Sequence, residues 1–286
     1  MLGEAAGSVG VGVRRIEIEA GGWSTPAHEH GREEEIFYVL SGRGFSWQAG
    51  ATHEIRAGDC VVYLAGRGAH TMHALKPLDV LAFGPRLDDE SVGFPRIGLS
   101  LVGRRAVETV AGVADGYPVQ FVREAEAGPP ELPEPSPRPR SIVNAAEVEP
   151  EERDGATVGR RRRDLGRAAG SVRTGLRLYD ALPGKLGAPP HCHSAEAELF
   201  VVLAGDGVLL LGDEEHEVRP GHVVARPAGT GVAHAFRAGA EGLSYLAYGT
   251  REPNDIVFYP RSGKVYFRGV DLVARIERLN LWEGEE

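Results

Sequence analysis

Cysteine is nearly missing from this sequence: among 286 residues only Cys60 and Cys192 occur. Two thiols exclude a disulfide framework and a cysteine-rich zinc module, and they fit a reducing compartment. No run of about 18 apolar residues is present. No basic start leads into an apolar stretch either, since Met1 to Gly12 is small, glycine-rich and carries Glu4. The expectation is a soluble, cytoplasmic protein. Positive charge is also short: Lys and Arg number 32 against 41 Asp and Glu, for a net charge of -9. That balance argues against nucleic acid or an anionic membrane as partner and for a small molecule or a protein. A sustained helical period is absent as well. What is abundant is turn chemistry, with 39 Gly and 19 Pro beside 42% hydrophobic residues. At roughly 100 to 200 residues per domain, this predicts two domains or one large one, built from many short strands.

The sequence repeats itself. Ala5-Ala6-Gly7-Ser8-Val9 recurs as Ala168-Ala169-Gly170-Ser171-Val172, and at the same offset of 163 residues Gly12 meets Gly175, Gly42 meets Gly205 and Gly58 meets Gly221. After short slips, Phe94-Pro95-Arg96 corresponds to Tyr259-Pro260-Arg261. Two copies of one domain follow, expected over residues 1–125 and 156–286. Residues 126–155 between them are rich in proline and then acidic, which reads as a semi-rigid extended linker. The acidic run Glu147 to Asp154 and the basic run Arg160 to Arg163 are expected to neutralise each other. Within each copy, short β-branched or alternating segments between glycines predict an all-β sandwich or barrel.

Histidine follows the duplication. Of ten histidines, eight pair between copies: His28 with His191, His30 with His193, His53 with His216, and His70 with His234. His28-Glu29-His30, four residues, Glu35, six residues, Gly42 has the same spacing as His191-Cys192-His193, four residues, Glu198, six residues, Gly205. Residues i and i+2 of a strand share a face, so two imidazoles can converge on one ion. A carboxylate from the next strand and a third imidazole, from His70 or His234, complete a four-ligand set suited to a divalent metal with open positions. Cys192 should point to the opposite face. His53 and His216, in polar turn-like surroundings, are expected to be exposed, and Glu33 and Glu34 to be solvated.

With these motifs in view, the sequence resembles a two-domain cupin. The first motif of that family is matched by Gly22, His28, His30, Glu35 and Gly42, and by His191, His193, Glu198 and Gly205. The second is followed by Gly221, Pro227, Gly229 and His234, and by Gly58, Gly66 and His70 with Leu64 in the proline position. Ala74 and Ala238 stand where the family often has Asn. The resemblance implies two tandem double-stranded β-helix (jelly-roll-like) barrels, each holding one divalent transition metal: manganese, iron, nickel, zinc or copper. It also implies a small-molecule substrate, and an assembly that is either a pseudo-symmetric monomer or a homo-oligomer.

Strand parity places Phe37 and Val39 with Glu35, Phe200 and Val202 with Glu198, Met72 beside His70 and Phe236 beside His234, as pocket wall, barrel core or both. Tyr63 and Arg226 occupy equivalent positions before the second-motif turn. Tyr63 could donate a proton and Arg226 could hold a carboxylate, or both could be structural. Two functions are consistent with this pattern: a metal-dependent dioxygenase, decarboxylase or isomerase acting on a small oxygen-containing molecule, and a non-catalytic metal or small-molecule binding protein. If only one copy is catalytic, the Pro227-Ala228-Gly229 turn, nearer the family pattern, favours the second.

Overall fold

The computed structural model of the protein describes residues 2–102, 105–108, 112–113, 119–277 and 279–285. The chain divides into two compact units, Met1–Pro150 with Arg163–Leu178, and Glu151–Arg162 with Tyr179–Glu286.

The first unit holds strands β1 (Val11–Ile18), β2 (Glu29–His30), β3 (Glu35–Gln48), β4 (Ala51–Arg56), β5 (Asp59–Tyr63), β6 (His70–Pro85), β7 (Ser91–Phe94), β8 (Leu99–Val102), β9 (Arg105–Glu108), β10 (Gly112–Val113) and β11 (Ile142–Asn144). They form two antiparallel sheets, one in the order β1-β6-β3-β5-β11 with β4 on β3, the other β10-β9-β8-β7-β2. Inward residues of the first sheet, among them Phe37, Val39, Val61, Met72 and Val80, make the barrel core. Alternation along the strands puts them on one face.

The second repeat follows the same plan. A hairpin of β12 (Glu151–Asp154) and β13 (Gly159–Asp164) and strand β14 (Thr174–Ala181) precede β15 (Cys192–His193), β16 (Glu198–Leu211), β17 (Glu214–Val218), β18 (Val223–Arg226), β19 (His234–Thr250), β20 (Ile256–Tyr259), β21 (Lys264–Phe267) and β22 (Leu272–Arg275). Strand β16 pairs with β17, β18 and β19, and β15-β20-β21-β22 form the smaller sheet. Phe200, Val202, Phe236 and Tyr245 lie in its core.

The long strands β3 and β16, 14 residues each, would span about 45 Å if straight. They do not run straight. His70 pairs with Gln48 at the far end of β3, yet its Nε2 lies 2.9 Å from Glu35 Oε2 at the near end. Register shifts between Val39 and Gly44, and between Val202 and Gly207, bend each strand so that both ends reach one place. Gly42 and Gly205 sit at these bends with φ of 94° and 74°, and a Cβ would stand 2.0 Å from the Pro77 oxygen or 2.1 Å from the Gly242 oxygen. Only glycine satisfies both constraints.

The expected linker is not a free connection. Helix α2 (Val119–Ala127, after the short α1, Leu2–Ala5) belongs to the first unit, and the proline segment after it is fastened along that barrel. Trp47 Nε1 donates to the Glu131 oxygen (3.0 Å), Thr52 Oγ1 to the Pro133 oxygen (2.7 Å) and His53 Nδ1 to the Pro137 oxygen (3.0 Å). Proline removes donors but leaves its carbonyls, so an extended proline-rich segment presents acceptors to barrel side chains. His53, expected in solvent, is buried by this contact. Arg138 then grips the fully buried Asp59 through both Nη atoms (3.0 and 2.8 Å), and Ile142–Asn144 joins the sheet as β11.

Residues 163–178, expected in the second domain, also belong to the first unit. There Glu34, expected to be solvated, is 2% exposed and accepts from Val172 N (2.8 Å), Thr174 N (3.1 Å) and Thr174 Oγ1 (2.5 Å). These donors, with α3 (Leu165–Ala168), tie the start of the second repeat to the first barrel. The acidic and basic runs pair as expected in the β12–β13 hairpin, where Arg161 meets Glu152 at 2.9 Å. His216 is exposed.

Candidate metal centres and their cavities

In the first barrel His28, His30, Glu35 and His70 each offer one ligand atom within 4.8 Å of the others. The backbone sets this up: His28 and His70 exchange N–H···O bonds of 3.2 and 2.8 Å, while His30 lies on β2 and Glu35 opens β3. Glu35 Oε2 lies 2.9 Å from His70 Nε2, 3.4 Å from His30 Nε2 and 3.7 Å from His28 Nε2. The second barrel reproduces the arrangement. His191, His193 and Glu198 form one group of the same kind, and His234 Nε2 adjoins it at 3.1 Å from Glu198 Oε2. Ring centroids are 5.1 Å apart for the His-x-His pair and 4.7 Å for the pair joined through the backbone, in both copies.

Surrounding groups set the tautomers. His28 Nδ1 donates to the Pro26 oxygen (2.9 Å) and His191 Nδ1 to the Pro189 oxygen (2.7 Å), which leaves each Nε2 unprotonated and facing the centre. His193 Nδ1 bonds to Asp255 Oδ2 at 2.7 Å, with Glu196 Oε2 at 3.7 Å. His30 Nδ1 faces Glu90 (3.5 Å) and Glu33 (4.0 Å). Each inner set therefore has an outer pair of carboxylates, Glu33 with Glu90 and Glu196 with Asp255. Glu33, expected in solvent, instead faces His30, and the sequence motifs did not single out Glu90, Glu196 or Asp255. Glu33 and Glu196 share the 163-residue offset that identified the ligands, and that signal could have found them.

The donor set fits a divalent metal on two counts. First, His30 Nε2, His193 Nε2, His234 Nε2 and Glu198 Oε2 are buried without a hydrogen-bond partner among the described residues, and such atoms are costly unless something satisfies them. Second, the charge states suit ligation. Burial opposes ionisation of Glu35, but the surrounding imidazoles of His28, His30 and His70 outweigh it and hold the carboxyl well below its ordinary range. Glu198 is held low in the same way, chiefly by His234. Burial lowers His70 and His191 to about 4, so both are neutral near pH 7. His30 and His193 are the exceptions: burial lowers both, but Glu35, Glu33 and Glu90 raise His30 to about 9, and Asp255, Glu198 and Glu196 raise His193.

The two centres differ in access. The first opens into a cavity of about 320 Å³ bounded by His28, His30 and Glu35 and by apolar side chains including Phe37, Val92, Phe94 and Phe121. At the second, the space beside His193, Glu198 and His234 is about 10 Å³. Cross-strand neighbours account for part of the contrast, because Glu35 pairs with Tyr63 and Glu198 with Arg226. Tyr63 turns into the core, stacks on His70 at 3.9 Å and hydrogen-bonds Ser46 Oγ at 2.7 Å. Arg226 borders the second centre, and its Nη2 donates to the Val232 oxygen (2.7 Å) and meets Thr230 Oγ1 (3.2 Å).

Of the anticipated pocket residues, Phe37 lines the first cavity and Arg226 the second space. Val39, Tyr63 and Met72, and likewise Phe200, Val202 and Phe236, belong to the barrel cores, as strand parity places them, and do not border these two spaces. Cys192, expected on the opposite face, also borders the second space. The first cavity gains residues from outside the motifs, among them Arg86, Phe94, Gln120 and Phe121.

Fold and site together define a double-barrel protein with two histidine–carboxylate centres. The cupin domain matches residues 14–83 and again 177–247, and this chain is a two-domain cupin. It is similar in structure to oxalate decarboxylase of Bacillus subtilis, described with Mn(II) centres (14% identity, TM-score 0.56, 86% of this chain and 70% of that one), and to vicilin of Solanum lycopersicum (14%, 0.55, 89% and 78%). These likenesses show the two-barrel fold. A sugar phosphate isomerase of Silicibacter pomeroyi matches over one barrel's length (24%, 0.43, 49% and 96%). No curated protein matches the sequence. Among the described residues, no helix is long and apolar enough to cross a membrane.

Proposed function

We propose that this cupin is a metal-dependent enzyme that transforms a small oxygen-containing organic molecule in its first barrel, while the second barrel holds a metal that stabilises the fold. The observation that supports this division is the contrast between two nearly identical donor sets, one beside a cavity of about 320 Å³ and the other beside about 10 Å³. Catalytic metal sites keep a position open, and structural ones are closed. The assignment runs opposite to the expectation from the Pro227-Ala228-Gly229 turn, because access depends on side chains around the turn more than on the turn's sequence.

His28, His30, Glu35 and His70 would hold the ion in the first barrel, and His191, His193, Glu198 and His234 in the second. A bound divalent transition metal polarises a ligand oxygen or activates water or dioxygen. The chain's own residues do the rest. Phe37, Phe94 and Phe121 exclude water from the cavity and favour an organic occupant over bulk solvent. The Glu33 and Glu90 carboxylates face His30 Nδ1 and can hold its proton there, so that Nε2 is the free donor. Ionised Glu35 contributes the single negative charge of the inner set.

The test is elemental analysis of tag-free protein beside His28→Ala/His30→Ala and His191→Ala/His193→Ala, with turnover of a panel of small organic acids and hydroxycarbonyl compounds. About two ions in the parent are expected, one lost with each pair, and turnover lost with the first pair alone. Turnover lost only with the second pair would reverse the assignment. Saturable binding without turnover across the panel would favour a non-catalytic binding protein, and no ion after reconstitution would remove the metal reading.

A further inference from the structure

Two residues that line the first cavity each carry a polar atom without a hydrogen-bond partner among the described residues. Gln120, on α2, is 3% exposed, yet its Oε1 is buried without a hydrogen-bond partner among the described residues. Arg86 follows directly on β6. Its Nη1 donates to the Ser8 oxygen at 3.3 Å, while its Nη2 is buried without a partner among the described residues. The guanidinium fits there because residue 12 is glycine, where a Cβ would stand 3.2 Å from Arg86 Nε. A buried acceptor and a buried cationic donor on two residues that line one cavity are unfavourable unless an occupant satisfies them.

We infer that the first barrel binds an organic monocarboxylic acid that carries a hydroxyl group on an apolar body. The carboxylate accepts from Arg86 Nη2, the hydroxyl donates to Gln120 Oε1, and the body packs against Phe94 and Phe121. A single negative charge is favoured over a phosphate dianion because Glu33 and Glu35 border the same cavity and repel a second charge. Apolar walls with a few placed polar groups fix the orientation of such a ligand. This inference rests on the first cavity being the ligand site, and it is independent of which metal is bound.

Titration calorimetry on the full-length, metal-loaded protein, with ion content measured on the same samples, tests the assignment. The probe is 4-hydroxyphenylacetate, compared with phenylacetate, which lacks the hydroxyl, and 4-hydroxyphenylacetamide, which lacks the charge. One equivalent of the hydroxy acid is expected to bind, with each comparator about tenfold weaker. Gln120→Leu should abolish the preference over phenylacetate alone, and Arg86→Gln the preference over the amide alone. Should Arg86→Gln fail to fold, Arg86→Lys and Gly12→Ala replace it, the first retaining part of the charge preference and the second losing it. Equal affinities in the parent, preferences unchanged in the variants, or no binding of any probe up to about 10 mM overturn the inference. Preferences intact in a protein that holds no ion would instead overturn the metal reading and leave this inference standing.

Discussion

At the scale of single residues, the outer carboxylates hold the inner donors in place, and Asp255 shows how. It is fully buried and receives N–H bonds from Ala195 (2.9 Å) and Glu196 (3.2 Å) besides its 2.7 Å contact with His193. Burial works against its ionisation, but the bonds from His193, Ala195 and Glu196 prevail and hold it at about 2. A carboxyl depressed on folding adds stability above its unfolded pKa near 4, and that stability disappears as pH falls through about 2. Metal-free protein should therefore lose on the order of 2 kcal/mol between about pH 4 and pH 2 through this group. Thermal unfolding against pH should show Asp255→Asn less stable above that window and flatter within it. The same substitution should weaken metal binding in the second barrel by about 10- to 100-fold. Metal titration in a His28→Ala/His30→Ala background reads this directly, and an unchanged affinity would deny Asp255 its positioning role.

At the scale of elements, the bends in β3 and β16 bring the two ends of each long strand to one centre. Gly42 combines a φ of 94° with a Cβ position 2.0 Å from a carbonyl oxygen, whereas Gly50 has a φ of 92° and open space around it. The pair separates two costs. Gly50→Ala should lose about 1 kcal/mol for backbone strain alone, and Gly42→Ala about 3 kcal/mol or more, with displacement of β6. Denaturant unfolding of the two variants measures the difference, and equal losses would mean that the close approach is relieved elsewhere. The motif glycine was legible because the duplication repeats it at fixed spacing. The docked course of residues 131–144 was not, because proline spacing announces an extended backbone but is silent about Trp47, Thr52 and Asp59, which receive it. For the same reason the outer carboxylates were partly legible. Glu33 and Glu196 share an offset, whereas Glu90 and Asp255 differ in both offset and side-chain length.

The Asp59–Arg138 pair makes this segment part of the fold. Asp59 also accepts from Arg56 N (2.7 Å) and Asn144 Nδ2 (2.8 Å). Arg138→Ala would leave a buried carboxylate short of its cation, at a cost of about 3–5 kcal/mol. Limited proteolysis should then cut within residues 128–140 of the variant while the parent resists, and equal resistance would show that the carbonyl contacts alone hold the segment.

At the scale of the whole molecule, duplication has kept two donor sets alike while the residues opposite their carboxylates diverged to Tyr63 and Arg226. Sequence alone could show the divergence but not its effect, which depends on where each side chain turns. Tyr63 packs into the core and leaves the first centre open, whereas Arg226 ties the turn at Thr230 and Val232 beside the second. If the second site is closed by this tie, its ion should exchange slowly. With excess chelator, release from metal-loaded protein is expected in two phases, the fast one absent in His28→Ala/His30→Ala and the slow one absent in His191→Ala/His193→Ala. Arg226→Ala removes the tie without removing a donor, so it should accelerate the slow phase about tenfold or more while the fast phase stays unchanged. A second-site rate indifferent to Arg226 would place the barrier to release in the donors themselves. The contrast between the barrels would then be one of cavity size alone.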